Sequence, residues 1–288
     1  MTELPGPLVD ADWLAAHLGD VVVADVRWVA GQGPAAARSR YEAGHIPGAV
    51  FLGIDDDLAA PAFEGPGRHP LPSPEAFAAT MARAGIGDGT AVVAYDDARG
   101  SLAARLWWML DVLGERVALL DGGLADWPGP LETGSEAARR PGVFTPRPWP
   151  AGAIVGADEV ASALAAGDAP VLDVRMPERY RGEVEPLDPV AGHIPGASSA
   201  PWVGSLDEAT GRFLGAEELR MRFEALGVGP DRPPIAHCGS GVTACHVLFA
   251  MRVAGLPDGH LYEGSWSDWV HDGTRSVATG EDPGGVAP

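Results

Sequence analysis

The chain has only two cysteines, Cys238 and Cys245, seven residues apart. A secreted scaffold stapled by disulfides needs more, so that class is excluded and a reducing compartment is indicated. Positive charge is scarce as well: 20 basic residues face 40 acidic ones, giving a formal charge of −20. A field of that sign repels nucleic-acid phosphates and anionic lipid, which excludes a general affinity for either. An anionic substrate would therefore need a local basic site. No stretch approaches the roughly 18 apolar residues of a membrane helix. The opening residues, MTELPGPLVDADW, lack the basic start and apolar core of a secretory signal. A cytoplasmic protein with neither a nucleic-acid nor a membrane partner is expected.

What is present suits a folded enzyme. The 288 residues are 46% hydrophobic and 21% charged, enough for two ordinary domains with full cores. The chain also repeats itself. Asp25-Val26-Arg27 precedes Gly44-His45-Ile46-Pro47-Gly48-Ala49, and Asp173-Val174-Arg175 precedes Gly192-His193-Ile194-Pro195-Gly196-Ala197. In both copies the histidine lies 20 residues after the first aspartate. Further on, Leu120-Asp121-Gly122-Gly123 ending in Asp126-Trp127 matches Tyr262-Glu263-Gly264-Ser265 ending in Asp268-Trp269. Offsets of 148 residues at the histidines and 142 at the tryptophans indicate one long duplication rather than a short solenoid repeat.

Each half alternates short apolar runs with helical stretches. Residues 21–24, 91–95 and 117–120 read as buried strands in the first half; residues 171–174, 234–236 and 260–262 are their counterparts. Continuous apolar strands separated by helices predict an α/β fold with a mainly parallel sheet covered on both faces. Thr243 to Ala254 reads as a packed helix stopped by Gly255 and Pro257. Residues 134–150 hold four prolines and no periodicity, which predicts a linker between an N-terminal domain (1–133) and a C-terminal domain (151–288).

The halves differ at one strand-to-helix junction. The second places Cys238 there, in His237-Cys238-Gly239-Ser240-Gly241-Val242-Thr243-Ala244-Cys245; the first places Asp96-Asp97-Ala98-Arg99-Gly100. One copy carries a thiol and the other a carboxylate. Gly239 and Gly241 let the loop fold tightly enough for successive N–H groups to point inward as an anion nest. The helix N-terminus adds partial positive charge in the same direction. Both effects favour an anionic sulfur, whether thiolate or persulfide, and Ser240 and Thr243 could add hydroxyl donors. A free cysteine is often just a small apolar core residue. That reading suits Cys245, on the apolar helix, but not Cys238 in its glycine turn. Zinc ligation by His237, Cys238, Cys245 and His246 lacks the usual close ligand spacing, so no metal and no other cofactor is expected.

The segment CGSGVTAC, the two GHIPGA boxes and the GSWSDW ending resemble the two-domain rhodanese family of sulfurtransferases, most of all its 3-mercaptopyruvate branch. The likeness runs from about residue 8 to about residue 278. It implies tandem rhodanese-like domains, the N-terminal one inactive and the C-terminal one catalytic. Cys238 would take sulfur from a small-molecule donor as a persulfide. It would then pass it to cyanide or to a thiol acceptor such as thioredoxin or a small thiol. Rhodanese-like phosphatases use a loop one residue longer, closed by an arginine. Here Thr243 is followed by Ala244 and Cys245, so the charge clamp for phosphate is missing.

The resemblance also bears on the donor. Thiosulfate enzymes of the family carry two basic residues directly after the cysteine; Gly239 and Ser240 are neutral, which favours mercaptopyruvate. Arg179 falls where the family has a substrate-binding arginine. A second substrate arginine of the mercaptopyruvate branch has no counterpart in residues 183–189, so that clamp is absent or supplied from elsewhere, and thiosulfate stays open as donor. His45 falls where the family has a histidine facing the active site across the domain interface, a group proposed to activate the loop serine, here Ser240. His45 and His193 share a repeat position, so a common structural role in holding a turn is the competing reading. Trp266 and Trp269 read as core or pocket wall.

Overall fold

The computed structural model describes residues 2–284. It divides into two compact units. The first comprises the chain up to Ala60, then Leu71–Pro150 and Thr210–Arg212; the second comprises Pro61–Pro70, Ala151–Ala209 and the chain from Phe213 onward. The units therefore differ from the expected halves. A short segment of the N-terminal half, 61–70, belongs to the second unit.

Each unit is built on one five-stranded parallel sheet. In the first, β1 (Leu8–Val9), β2 (Val22–Arg27), β3 (Val50–Gly53), β4 (Val92–Tyr95) and β5 (Val117–Leu120) lie in the order β1-β5-β4-β2-β3. In the second, β6 (Ile154–Val155), β7 (Val171–Asp173), β8 (Ser198–Ser199), β9 (Ile235–His237) and β10 (His260–Tyr262) lie in the order β6-β10-β9-β7-β8. The two orders are the same path through the same sheet. Every residue of β2, β4 and β5, and of β7 and β9, is buried. Strands covered by helices on both faces cannot alternate apolar with polar residues, which is why these segments read as unbroken apolar runs. The helices behind the two loops of interest, Ala103–Asp111 and Ala244–Val253, are apolar nearly all round because they too are enclosed. No helix of the described residues is long and apolar enough to cross a membrane.

The motifs shared by the two copies do the same structural work in each. Arg27 donates to Asp25 from Nη2 at 2.7 Å and to the Gly44 carbonyl at 3.1 Å. Arg175 donates to Asp173 from Nη2 at 2.6 Å and to the Gly192 carbonyl at 2.6 Å. The arginine thus ties the end of a central strand to the start of the GHIPGA box. Inside that box His45 stacks on Tyr41 at 3.9 Å and His193 on Tyr180 at 3.8 Å. Each ring Nδ1 is hydrogen-bonded to the carbonyl of its own tyrosine partner, at 3.0 and 2.8 Å. Tyr41 and Tyr180 in turn donate to the carbonyls of Ala49 and Ala197, both at 2.7 Å.

Residues 134–150 contain no helix or strand, as expected, yet they are not a free tether. Gly142 donates to the Ala82 carbonyl at 2.8 Å, the Val143 carbonyl accepts from Asp88 at 2.9 Å, and Phe144 is buried edge-on to Phe77 at 5.7 Å. A proline-rich stretch has no periodicity to reveal it, but its remaining N–H and C=O groups still find partners on the first unit.

Arg27 is isolated from Cys238 in the sequence and buried, so it reports on the fold. Arg27→Met leaves the Asp25 carboxylate buried without its partner and is expected to cost about 3–5 kcal/mol. The measurement is the denaturant midpoint, which should fall; an unchanged midpoint would show that the pair holds nothing.

Candidate active site

The register of the two sheets identifies equivalent positions. Asp25 pairs with Tyr95 across β2 and β4, and Asp173 pairs with His237 across β7 and β9. The next residues, Asp96 and Cys238, are therefore the same place in the fold. Both are buried, at 0% and 4% relative exposure.

The loop Cys238–Thr243 connects β9 to the helix Ala244–Val253 and is held by the turn after β10. The Cys238 N–H donates to Ser265 Oγ at 3.0 Å, and the Ser265 hydroxyl donates to the Tyr262 carbonyl at 2.8 Å. In return Trp266 donates to the Cys238 carbonyl at 3.1 Å and Ser267 to that of Gly239 at 3.0 Å. Ser265 does this from φ +54°, a left-handed conformation uncommon for a residue with a side chain. Gly241 has φ +75°, and a Cβ on it would collide with the Glu263 carbonyl oxygen. Only glycine fits there. Val242 is buried; its carbonyl and that of Thr243 accept from Cys245 at 3.2 Å and His246 at 3.0 Å as the helix begins. Thr243 occupies the N-cap position, but its hydroxyl makes no capping bond.

The first unit shows what such a loop binds. Asp96 Oδ1 accepts from the N–H groups of Ala98 and Gly100, and Oδ2 from those of Leu102 and Ala103, all four at 2.8 Å. The Asp96 carbonyl accepts from Leu124 at 2.9 Å, as that of Cys238 does from Trp266. Arg99, equivalent to Gly241, also has positive φ, at +58°. The frame is shared, and in one copy it closes on a carboxylate built into the chain.

Around Cys238 lies a network of charge. The Asp173 carboxylate is fully buried; burial raises its pKa, but Arg175 and His237 outweigh that and hold it below the usual carboxylate range. Burial pushes the His237 imidazole down, with Asp173 3.8 Å away opposing. Arg175 stacks over the Trp266 ring at 4.5 Å and reaches Glu185 at 3.3 Å. Glu185 then holds Arg179, whose Nη2 lies 2.7 and 2.8 Å from its two oxygens. Arg179 lies beside the loop, with Nη1 and Nη2 both 3.4 Å from where a Gly239 Cβ would stand. Arg181, by contrast, is an ordinary surface pair with Glu183 at 2.8 Å.

Two residues of the 61–70 segment complete the surroundings. His69 Nδ1 is 2.7 Å from Ser240 Oγ, and both side chains are buried. Arg68 Nη2 is 3.2 Å from the Gly239 Cβ position, and Arg68 Nη1 pairs with Asp188. Neither was singled out from the sequence. The histidine against Ser240 is His69, where the resemblance pointed to His45; the His45 ring is engaged in the first unit by Tyr41 as described, and the repeat position is a turn-holding one. The available signal was an Arg-His pair between prolines in a strongly acidic chain. Among the described residues no disulfide joins Cys238 to Cys245, and Cys245 Sγ lies 3.4 Å from the carbonyl of Gly241 in the preceding loop. No cluster of three or more His, Cys, Asp or Glu among the described residues could hold a metal, and His246 stacks on Phe213 at 4.6 Å.

Comparison with known proteins agrees with this architecture. The family model of the rhodanese-like domain matches residues 10–129 and 156–272. The chain is 46% identical over 282 residues to a protein of Pseudomonas aeruginosa named "Probable 3-mercaptopyruvate sulfurtransferase", covering 95% of this chain and 98% of that one. It is 35% identical over 302 residues to the thiosulfate sulfurtransferase of Bos taurus, covering 97% of both. Among solved structures it resembles SseA from Escherichia coli, described as a 3-mercaptopyruvate sulfotransferase, with TM-score 0.78, 37% identity and coverage of 91% of this chain and 99% of that one.

The shared frame can be tested in the first unit. Asp96→Asn puts an amide NH2 among N–H donors and leaves at least one of them unpaired. A loss of about 2–3 kcal/mol in stability is expected, read by thermal unfolding; a variant as stable as the parent would mean that the four contacts carry no weight.

Proposed function

The chain belongs to the rhodanese family, and on that premise we propose that it is a sulfurtransferase. It moves sulfur from 3-mercaptopyruvate to a thiol or cyanide through a persulfide on Cys238. The observation that carries this reading is the pairing of Cys238 with Asp96. At the position where one copy holds a carboxylate with four N–H groups, the other holds a thiol, which can become an anion and act as a nucleophile toward sulfur. The relatives named for mercaptopyruvate and for thiosulfate both support sulfur transfer as the reaction class.

The chemistry follows from the groups at hand. The Cys238 thiolate attacks the sulfur of the donor, and the carbon–sulfur bond breaks with its electron pair left on carbon as the enolate of pyruvate. The proton that the donor sulfur carried neutralises that carbon, giving pyruvate and leaving the outer sulfur on Cys238 as an anion. Negative charge develops on the donor's keto oxygen during cleavage. The Ser240 hydroxyl, two residues from Cys238 and hydrogen-bonded to His69, is the donor that meets it, with the imidazole as its proton reserve. In the second half-reaction the acceptor attacks the outer sulfur, the sulfur–sulfur bond breaks, and Cys238 leaves as thiolate. The loop N–H groups stabilise an anion at both stages. Arg179 is placed to bind the anionic end of the donor through its planar fork.

Thiosulfate is the second reading, supported by the Bos taurus relative. The uncharged Gly239 and Ser240 weigh against it, because the dianion gains no cation from the residues that follow the nucleophile.

Exposure to 3-mercaptopyruvate should add the mass of one sulfur atom to Cys238, and Cys238→Ser should abolish both that mass and turnover. Turnover that survives the substitution would overturn the mechanism. His69→Ala should lower kcat for 3-mercaptopyruvate about 100-fold or more and slow the loading of Cys238 with it; an unchanged kcat would remove the Ser240–His69 pair from the chemistry. A higher kcat/KM for thiosulfate than for 3-mercaptopyruvate would favour the second reading.

A further inference from the structure

The donor carries a carboxylate, and a single guanidinium near Cys238 is a thin basis for drawing an anion to a chain of charge −20. We infer that Arg68 is a specificity-determining residue that closes, with Arg179, a two-guanidinium clamp for the carboxylate end of the donor beside Gly239. The identity of the donor rests on the sulfurtransferase reading above; the anion site itself rests only on the geometry.

Four observations converge on it. The first is position. Arg68 Nη2 and Arg179 Nη1 and Nη2 come within 3.2, 3.4 and 3.4 Å of the same point, the place of a Cβ on Gly239, one residue beyond the nucleophile. The missing side chain of Gly239 makes that space. The second is unspent donors. Arg179 gives Nε and Nη2 to Glu185, and Arg68 gives Nη1 to Asp188. Arg68 Nη2 and Arg179 Nη1, two of the nitrogens nearest Gly239, donate to no acceptor among the described residues.

The third observation is rigidity. The Arg68 N–H donates to Ser267 Oγ at 3.1 Å, on the turn that holds the carbonyls of Cys238 and Gly239. Gly67 has φ +77° and packs so closely on that turn that a Cβ would strike Ser267 Oγ at 2.7 Å. Arg68 is therefore indexed to the cysteine loop, with His69 against Ser240 as the next residue along. The fourth is charge. Arg68 and Arg179 share Asp188: Nη1 of the first pairs with Oδ1, and Nη2 of the second is 3.5 Å from Oδ2. Oδ2 has no hydrogen-bond partner among the described residues, although the side chain is only 3% exposed. Glu185 and Asp188 balance the two guanidinium charges, so a bound carboxylate would be held by the N–H groups that Arg68 Nη2 and Arg179 Nη1 leave uncommitted, not by surplus charge. Planar forks in this arrangement match its geometry better than point charges, and all 20 basic residues of the chain are arginines.

This arrangement accounts for the arginine that residues 183–189 lack. The second guanidinium comes instead from a residue more than a hundred positions earlier. The stretch 183–189 contributes the counter-ions instead, through Glu185 and Asp188.

The test separates the anion site from the sulfur chemistry. Pyruvate and its neutral amide are titrated calorimetrically into the full-length protein and into Arg68→Met and Arg68→Lys. Losing one charge-assisted contact should weaken pyruvate binding about 10–100-fold in Arg68→Met. Affinity for the amide should change less than about threefold, and Arg68→Lys should fall between. The KM for 3-mercaptopyruvate should rise in parallel, with kcat nearly unchanged. Equal losses for pyruvate and amide would reduce Arg68 to a structural role and overturn the inference. So would unchanged pyruvate affinity, or no pyruvate binding by the parent protein. Failure of the sulfurtransferase reading would look different: pyruvate would bind with the stated dependence on Arg68, and Cys238 would gain no sulfur.

Discussion

In each unit an arginine buried at the carboxyl end of a central strand decides where everything near the site can lie. Arg175 and Asp173 are 1% and 0% exposed, and neither charge could remain there without the other. The guanidinium has more donors than Asp173 can use. The surplus fixes the GHIPGA box through Gly192, supports Trp266 from its ring face, and holds Glu185. Glu185 orients Arg179, and Trp266 bonds the Cys238 carbonyl. Cys238 and the Arg179 cation near its loop are thus positioned from one buried charge. Arg27 performs the first part of this in the other unit, reaching Gly44, but its third contact is Asp97, which pairs onward with the exposed Arg40.

Much of this is legible in the sequence because it is written twice. Asp-x-Arg and GHIPGA recur at a fixed interval, and the structure supplies the reason: in both copies the arginine bonds the carbonyl of a glycine 17 residues later. A change of length between the two would break the contact. The parallel sheets were readable from unbroken apolar runs, since strands enclosed on both faces have no polar side to show. Cys238 stood out because Gly241 and Gly239 flank Ser240 where the first copy has Arg99 and Asp97. The edge strands β1, β6 and β8, two residues each, were not read; they are too short to carry a pattern.

What remained hidden is what depends on distance in space rather than spacing in sequence. Arg68 and His69 sit in a proline-flanked loop with no periodicity, and a basic pair in an acidic chain is the one local sign of them. Their role comes from Gly67 packing on the Gly264–Ser267 turn, a contact across roughly 200 residues that no local pattern encodes. The histidines illustrate the converse. His45 lies in the more conspicuous motif, yet its repetition as His193 was the better guide: two copies with the same tyrosine partner and the same carbonyl contact are doing something common to the copy with Asp96 and the copy with Cys238. Residues 134–150 were hidden for a similar reason, since extended backbone bonded to a distant segment leaves no trace in composition.

Asp96 carries a consequence for the molecule as a binder. Its carboxylate is a ligand tethered to its own receptor by a single residue, so its effective concentration at the four N–H groups exceeds anything a dissolved anion reaches. Competition at that loop is settled by covalent connection. Duplication of the fold has therefore not doubled the number of receptors: the Asp96 copy is permanently self-liganded, and the Cys238 copy carries no carboxylate at that position.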